Sequence, residues 1–209
     1  MDAPIIHIVD DDEATRKATS RLLAAAGYAV HSYASGDEFL AATPSHAPGC
    51  VILDMRMPGR SGLELQTALA QREDPLPIIF VTGHGEVHDS VQAIQRGAID
   101  FLIKPTEPEA LLDAVARALA RDQADRATRI HQRDVQKRYA RLTEREREVF
   151  VHLISGQLNK QVAADLSISE RTIKLHRARI FEKLEVDSMA ALVRIAVDLG
   201  VAPSELTRD

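Results

Sequence analysis

The chain has 209 residues, 45% of them apolar and 27% charged, with a single cysteine and a formal net charge of -5. That composition excludes a disordered, collagenous or disulfide-stapled protein, and the length is enough for two small domains that each bury a core. The charge divides unevenly: Met1 to Asp122 carries ten Lys+Arg against eighteen Asp+Glu, whereas Gln123 to Asp209 carries sixteen against thirteen, so only the second half suits a polyanionic partner.

In chain order, IIHIVD, YAVHSY, CVILD, LPIIFVT and AIDFLIK read as short strands. Between and after them EATRKATSRLLAAAG, SGDEFLAAT, SGLELQTALAQR, EVHDSVQAIQRG and EPEALLDAVARAL carry helix-spaced apolar residues. Five β-α units with fully apolar strands predict a doubly wound α/β domain over residues 1–121, a five-stranded parallel sheet covered on both faces. Cys50 heads one of those strands and is expected to be buried. The opening residues hold neither a basic leader nor an apolar run of membrane length, so the expectation is a cytoplasmic protein with no membrane contact.

From about Glu107 the helical pattern runs on through RDQADRATRIHQRDVQKRYAR, with no Gly or Pro between Pro108 and Gly156, which predicts a charged helical linker over 122–141. Its sparse apolar residues, Ile130, Val135 and Tyr139, sustain no heptads, so it reads as a solvated helix. After Leu142 strand signals cease. TEREREVFVHLIS, NKQVAADL, SERTIKLHRARIFEKL and SMAALVRIAVDLG predict an all-α, four-helix domain over 142–209. Thr143 and Glu146 have capping-box spacing, Gly156 stops the first of these helices, and Ser169 and Ser188 cap later ones.

Ligands of doubly wound sheets bind at the carboxyl ends of the strands. There Asp10, Asp11 and Asp12 lie at the end of the first strand, Asp54 ends the third, and Thr82 and Lys104 end the fourth and fifth. Crowded carboxylates repel, and a hard divalent cation bound through oxygen, Mg²⁺ above all, relieves them. Carboxylates, a metal, a hydroxyl and a lysine are together what a transferring phosphoryl group needs, with Asp54 the best nucleophile. In the second domain a short helix, a tight turn and a longer basic helix with Arg171, Lys174, Arg177, Arg179 and Lys183 predict a helix-turn-helix. His176 is expected to pack or cap locally, and Val162, Ala163, Leu166, Ile168, Ile173 and Ile180 to form core.

IVDDD, VILDMRMPGRSGLEL, IIFVTGHG and GAIDFLIKP resemble the receiver domain of two-component response regulators, with its CheY/flavodoxin-like fold, over residues 4 to 120. LTEREREVFVHLISGQLNKQVAADLSISERTIKLHRARIFEKLEVDSMAALV resembles the LuxR/FixJ/NarL DNA-binding domain, and the pair is most similar to the FixJ-like subfamily. The resemblance implies that Asp54 accepts a phosphoryl group from a sensor histidine kinase. It further implies that Asp10, Asp11, Asp54 and the backbone carbonyl of Arg56 hold Mg²⁺, that Thr82 and Lys104 bind the phosphoryl oxygens, and that Lys104–Pro105 is cis. Thr82 and Phe101 would act as the switch, Phe101 rotating as Thr82 moves, so that the helix from Glu86 to Arg96 presents a different face and a homodimer forms. Arg56 and His84 would tune the lifetime of the phosphate. Lys174, Leu175 and Ala178 would face the groove of double-stranded promoter DNA, with Arg177, Arg179 and Lys183 near bases or phosphates, and Asn159, Lys160, Arg171 and Thr172 fixing the backbone register. RNA polymerase is a candidate further partner. The chain would not be an enzyme beyond phosphorylating itself from small phosphodonors and dephosphorylating itself.

Three positions depart from the family pattern. Thr106 stands where Phe is frequent, Phe101 lacks a tyrosine hydroxyl, and Ala178 is small where related domains carry a longer polar residue. Two other readings compete. A haloacid-dehalogenase-like phosphohydrolase would also use a strand-end aspartate, but Asp54-Met55-Arg56 lacks the second acid of Asp-x-Asp. A receiver with a vestigial helix-turn-helix would show no salt-dependent affinity for DNA.

Overall fold

A computed structural model describes residues 3–42, 47–83 and 87–202, without the side chains of 87–89. The chain forms two compact units that divide between Arg126 and Ala127. No helix among the described residues is long and apolar enough to cross a membrane.

The first unit alternates strands and helices as its periodicity requires: β1 (Ile5–Val9), α1 (Glu13–Ala25), β2 (Ala29–Tyr33), α2 (Gly36–Ala42), β3 (Gly49–Leu53), α3 (Gly62–Ala70), β4 (Ile78–Thr82), α4 (Val87–Gln95), β5 (Asp100–Ile103) and α5 (Pro108–Ala140), the last continuing into the second unit. The strands are all parallel, in the order β2-β1-β3-β4-β5. β3 and β4 are buried at every residue, which is why they read as unbroken apolar runs. On one face of the sheet Val51, Leu53 and Phe80 pack with Phe39, Leu65 and Ala93 of α2, α3 and α4. On the other, Ile8, Ile52 and Ile79 pack with Leu23 of α1 and with Leu111 and Val115 of α5. Cys50 belongs to the second core, where burial, with Asp122 adding to it, pushes its thiol up to about 12.

The second unit contains α6 (Glu144–Ile154), α7 (Asn159–Asp165), α8 (Glu170–Leu184) and α9 (Met189–Asp198). Several boundaries have a local cause. Thr143 and Glu146 close a capping box on α6, Gly156 at φ +77° ends it, and Ser169 and Ser188 cap α8 and α9. Phe150, Leu153, Val162, Ile173, Ile180, Leu184 and Leu192 form the core, with Leu166 and Ile168 at its margin.

The expectation of a wholly solvated helix before Leu142 needs correction. Ile130 is exposed, but Val135 is buried and Tyr139 packs beside it, its ring 5.5 Å from that of Phe150. The last turns of α5 are therefore part of the core of the second unit. Earlier in the same helix Asp122 accepts a hydrogen bond from Gly49 N at 2.9 Å, and Arg126 donates to Asp122 at 2.7 Å and to the Ala47 carbonyl at 2.6 Å, fixing α5 to the amino end of β3.

Candidate functional site

Parallel strands bring the residues after β1, β3 and β5 to one edge of the sheet. Asp54 N donates to Val9 O at 2.8 Å and Lys104 N to Thr82 O at 2.8 Å, so the strand ends are joined laterally. Buried Asp10 and Asp54 each present a carboxylate to Lys104, whose ammonium lies 2.6 Å from Asp10 Oδ2 and 2.8 Å from Asp54 Oδ2. The remaining oxygens also accept: Asp10 Oδ1 from Asp12 N at 2.8 Å, and Asp54 Oδ1 from Arg56 N at 3.3 Å. Asp11 is exposed, and ligand atoms of Asp10, Asp11 and Asp54 all lie within 4.8 Å of one another. Asp12 instead caps α1, accepting from Thr15 N at 2.9 Å.

Burial pushes the Asp10 carboxyl above its usual range, partly countered by Lys104 and the Asp12 amide, with the Asp54 charge adding to the rise. For Lys104, burial opposes the charge, yet hydrogen bonds to Asp10 and Asp54 outweigh it and hold the ammonium above the ordinary lysine value. Three clustered carboxylates, two of them bonded to one ammonium, leave negative charge in excess. An all-oxygen donor set of that kind fits a hard divalent cation such as Mg²⁺.

Thr82, the last residue of β4, is buried; Phe101 on β5 is half-buried, its ring 6.4 Å from that of Phe80. Lys104–Pro105 is cis. The Arg56 side chain is exposed, and His84 falls outside the described residues. Sequence reasoning passed over Gly62, which opens α3 beside Asp54. A Cβ there would stand 2.5 Å from the Asp54 carbonyl oxygen and 2.9 Å from the Phe80 ring, so only glycine permits that approach. Its signal was available in Ser61 and Glu64, three apart, which close a capping box on α3.

On α8 the exposed positions Arg171, Lys174, Leu175, Ala178 and Arg179 recur at helical spacing opposite the buried Ile173, Ile180 and Leu184, giving one solvent-facing stripe with three cations. Thr172 lies beside it, its N–H bonded to Ser169 Oγ at 3.1 Å. Two further cations expected near the DNA are engaged within the domain. Arg177 is half-buried over the Phe181 ring at 5.3 Å, and Lys183 donates to buried Glu146 at 2.6 Å. Asn159 and Lys160 begin α7, the former half-buried and the latter exposed. His176 is half-buried in a hollow that Arg141, Arg179 and Lys183 also line.

Residues 6–116 match the response regulator receiver domain, and residues 140–196 match the luxR family of bacterial regulatory proteins. The chain belongs to the two-component response regulators. This response regulator is 42% identical over 195 residues to the response regulator protein TodT of Pseudomonas putida, covering 92% of this chain and 85% of that protein. It is 39% identical over 199 residues to the transcriptional regulatory protein FixJ of Rhizobium meliloti, covering 95% and 98%. Among solved structures, the response regulator StyR superposes with a TM-score of 0.84 at 41% identity over 94% of this chain and 99% of that one. Full-length FixJ from B. japonicum gives 0.58 at 37% identity over 97% and 100%. The response regulator thus joins a CheY-like receiver to a luxR-type DNA-binding domain, the architecture of phosphorylation-dependent control of transcription.

Proposed function

We propose that this response regulator takes a phosphoryl group from a histidine kinase onto Asp54 and answers by dimerising and binding promoter DNA. The observation that carries the reading is the Lys104 ammonium, 2.6 and 2.8 Å from the carboxylates of Asp10 and Asp54, at an edge where Asp11 adds a third acid. In the transfer an Asp54 oxygen attacks phosphorus, the bond from phosphorus to the kinase histidine nitrogen breaks, and that nitrogen keeps the electron pair. Lys104 meets the charge on one phosphoryl oxygen and the Thr82 hydroxyl donates to another. Asp10, Asp11, Asp54 and the Arg56 carbonyl would hold Mg²⁺, which when bound supplies further positive charge to the phosphoryl oxygens. The cytoplasm is the compartment this chemistry suits.

The output follows from charge and exposed apolar surface. Thr82 moves toward the phosphate, Phe101 turns inward, and α4 shifts. Val91 and Ile94 of α4 and Ile103 of neighbouring β5 are exposed apolar residues, and that surface supports pairing of two receivers. A dimer presents two copies of α8 to a two-fold site, with Lys174, Leu175 and Ala178 toward the bases, Arg171 and Arg179 toward phosphates, and RNA polymerase as a further partner.

The test combines Mg²⁺ with acetyl phosphate and measures mass and oligomeric state together, with Asp54→Asn alongside. One added phosphoryl group and a dimer, both absent from Asp54→Asn, are expected. A wild-type protein that gains no phosphate, or a variant that still dimerises with the donor, overturns the reading.

A further inference from the structure

We infer that Arg16 is a positioning residue for the acidic edge: it holds the main chain on both sides of Asp11, so that this exposed carboxylate is kept beside those of Asp10 and Asp54 before any cation arrives. Helical side chains lean toward the N-terminus of their helix, so an arginine one turn inside α1 reaches back over the loop between β1 and the cap at Asp12. Half-buried Arg16 donates from Nη1 to the Asp10 carbonyl at 2.7 Å, and its main-chain N–H donates to the Asp12 carbonyl at 3.0 Å. Asp11 lies between those two residues.

The neighbours of Asp11 are tethered through their own polar atoms. Asp10 N donates to Tyr33 O at 3.2 Å, its Oδ1 accepts from Asp12 N at 2.8 Å and its Oδ2 from Lys104 at 2.6 Å, leaving the carbonyl for Arg16. Asp12 is fixed through its carboxylate, which accepts from Thr15 N at 2.9 Å. The exposed Asp11 side chain takes its direction from the peptide planes on either side of it. The plane between Asp10 and Asp11 carries the carbonyl that Arg16 grips, and a charge-assisted bond is stronger than a neutral one. With that plane held, the cost of ordering the third ligand is met in folding and not on binding. Loss of the guanidinium has two effects of opposite sign, since it deletes a positive charge that repels a cation and frees the peptide plane. Apart from burial, the groups that shift the Asp10 carboxyl are Lys104, Asp12 and Asp54, not Arg16, so the freed plane decides the outcome. The inference rests on the proposed Mg²⁺ site and adds to it the residue that holds its exposed ligand.

The experiment compares full-length wild type, Arg16→Met and Arg16→Lys by amide NMR, the lysine keeping a cationic donor of similar reach. In the metal-free state the order parameter of the Asp11 N–H is expected at about 0.85 in wild type and below about 0.6 in Arg16→Met, while unaltered β3 and β4 amides report an intact fold. A Mg²⁺ titration followed at the Asp11, Asp54 and Arg56 amides should show affinity weakened about fivefold in Arg16→Met and within about twofold of wild type in Arg16→Lys. With acetyl phosphate, the Mg²⁺ concentration giving half the maximal rate of mass gain should rise about fivefold in Arg16→Met, with the rate at saturating Mg²⁺ changed less than about twofold. Tighter Mg²⁺ binding in Arg16→Met would leave only the charge effect and overturn the positioning role, as would an unaltered Asp11 order parameter. Arg16→Lys as weak as Arg16→Met overturns the bond to the Asp10 carbonyl as the cause. A wild type that binds Mg²⁺ but gains no phosphate overturns the phosphorylation reading instead, and weaker Mg²⁺ binding in Arg16→Met would still support the role of Arg16. A wild type that binds no Mg²⁺ overturns the cation site and this inference with it.

Discussion

Replacing Lys183 with methionine separates two roles open to a lysine on the basic helix. The Lys183 ammonium is 2.6 Å from Glu146 Oε2, with the two side chains 31% and 3% exposed. Glu146 also accepts from Thr143 N at 2.8 Å in the capping box that starts α6. Burial pushes the Glu146 carboxyl up, but hydrogen bonds from Lys183 and Thr143 outweigh it and hold the group below its usual range. Removing one partner of a fully buried ion pair costs about 3–5 kcal/mol. Partial exposure of the ammonium and the surviving capping bonds reduce this to about 2 kcal/mol, or roughly 10 °C in the midpoint of a domain of this size. Because the folded pKa of Glu146 lies below its unfolded value of 4.5, its stabilisation is complete above that pH and is lost as pH falls through the folded value. Lys183→Met should therefore show its deficit at neutral pH and converge on wild type in acid, as followed by urea unfolding with circular dichroism. In DNA binding, one phosphate contact contributes about 0.9 to the slope of log affinity against log salt. With Lys183 committed to Glu146, the slope should change by less than about 0.3. A variant of wild-type stability whose slope falls by about one would refute this assignment and make Lys183 a phosphate contact.

Three further outcomes follow from buried or strained groups. His7 lies buried between Tyr33 and Phe39, and burial, with the charges of His31 and Arg72, lowers its pKa to about 4. It is neutral in the fold but gains a proton on unfolding below pH 6.5, so its contribution is complete above 6.5 and is lost as pH falls toward 4. Going from pH 7.5 to 5 should cost the receiver about 2 kcal/mol, and His7→Leu should flatten that slope; an equal slope in the variant overturns the assignment. Glu185 ends α8 at φ 57°, a left-handed conformation, while its carboxylate faces Arg141 at 3.3 Å and Arg138 at 3.5 Å. Glycine relieves about 1 kcal/mol of strain and exposed ion pairs contribute up to about 1 kcal/mol, so Glu185→Gly should be nearly neutral in thermal unfolding, and a loss above about 2 kcal/mol would contradict this. Asp122→Ala leaves the Gly49 N–H and the Arg126 guanidinium without their buried acceptor and should cost the receiver about 3 kcal/mol in urea; a loss below about 1 kcal/mol would show that both find other partners.

The acidic edge was legible because it needs only strand ends and one topological rule. Asp10, Asp54, Thr82 and Lys104 each stand at the end of an apolar run, and a doubly wound sheet gathers such ends. The exposed stripe on α8 was legible too, since helical spacing alone separates Arg171, Lys174, Leu175 and Ala178 from Ile173 and Ile180. Contacts between distant residues were not. Lys183 and Glu146 are 37 positions apart and Asp122 and Gly49 are 73 apart. A count of charges cannot say which cation an acid has already taken, nor that Gln66, one polar residue on an amphipathic helix, points into the core.

The stretch between the two domains shows the same limit most clearly, because composition describes a helix but not what each turn of it touches. Testing Ile130, Val135 and Tyr139 for heptads asks whether α5 pairs with another long helix. Val135 and Tyr139 instead complete the core of the second unit, Arg147 stacking 5.3 Å above the Tyr139 ring, Arg138 donating to Leu184 O at 3.4 Å and His131 meeting Asp198 at 2.9 Å. Among the described residues the DNA-binding unit is thus built from five helical pieces, and a fragment that begins at Leu142 lacks one wall of its core. Fully burying a side chain the size of valine contributes about 1.5 kcal/mol or more, and Tyr139 adds a comparable amount, so residues 127–209 should exceed residues 142–209 in stability by about 3 kcal/mol. The two fragments compared by urea unfolding and by affinity for the same duplex decide it. Equal stability would mean that Val135 and Tyr139 merely rest against a core already complete without them.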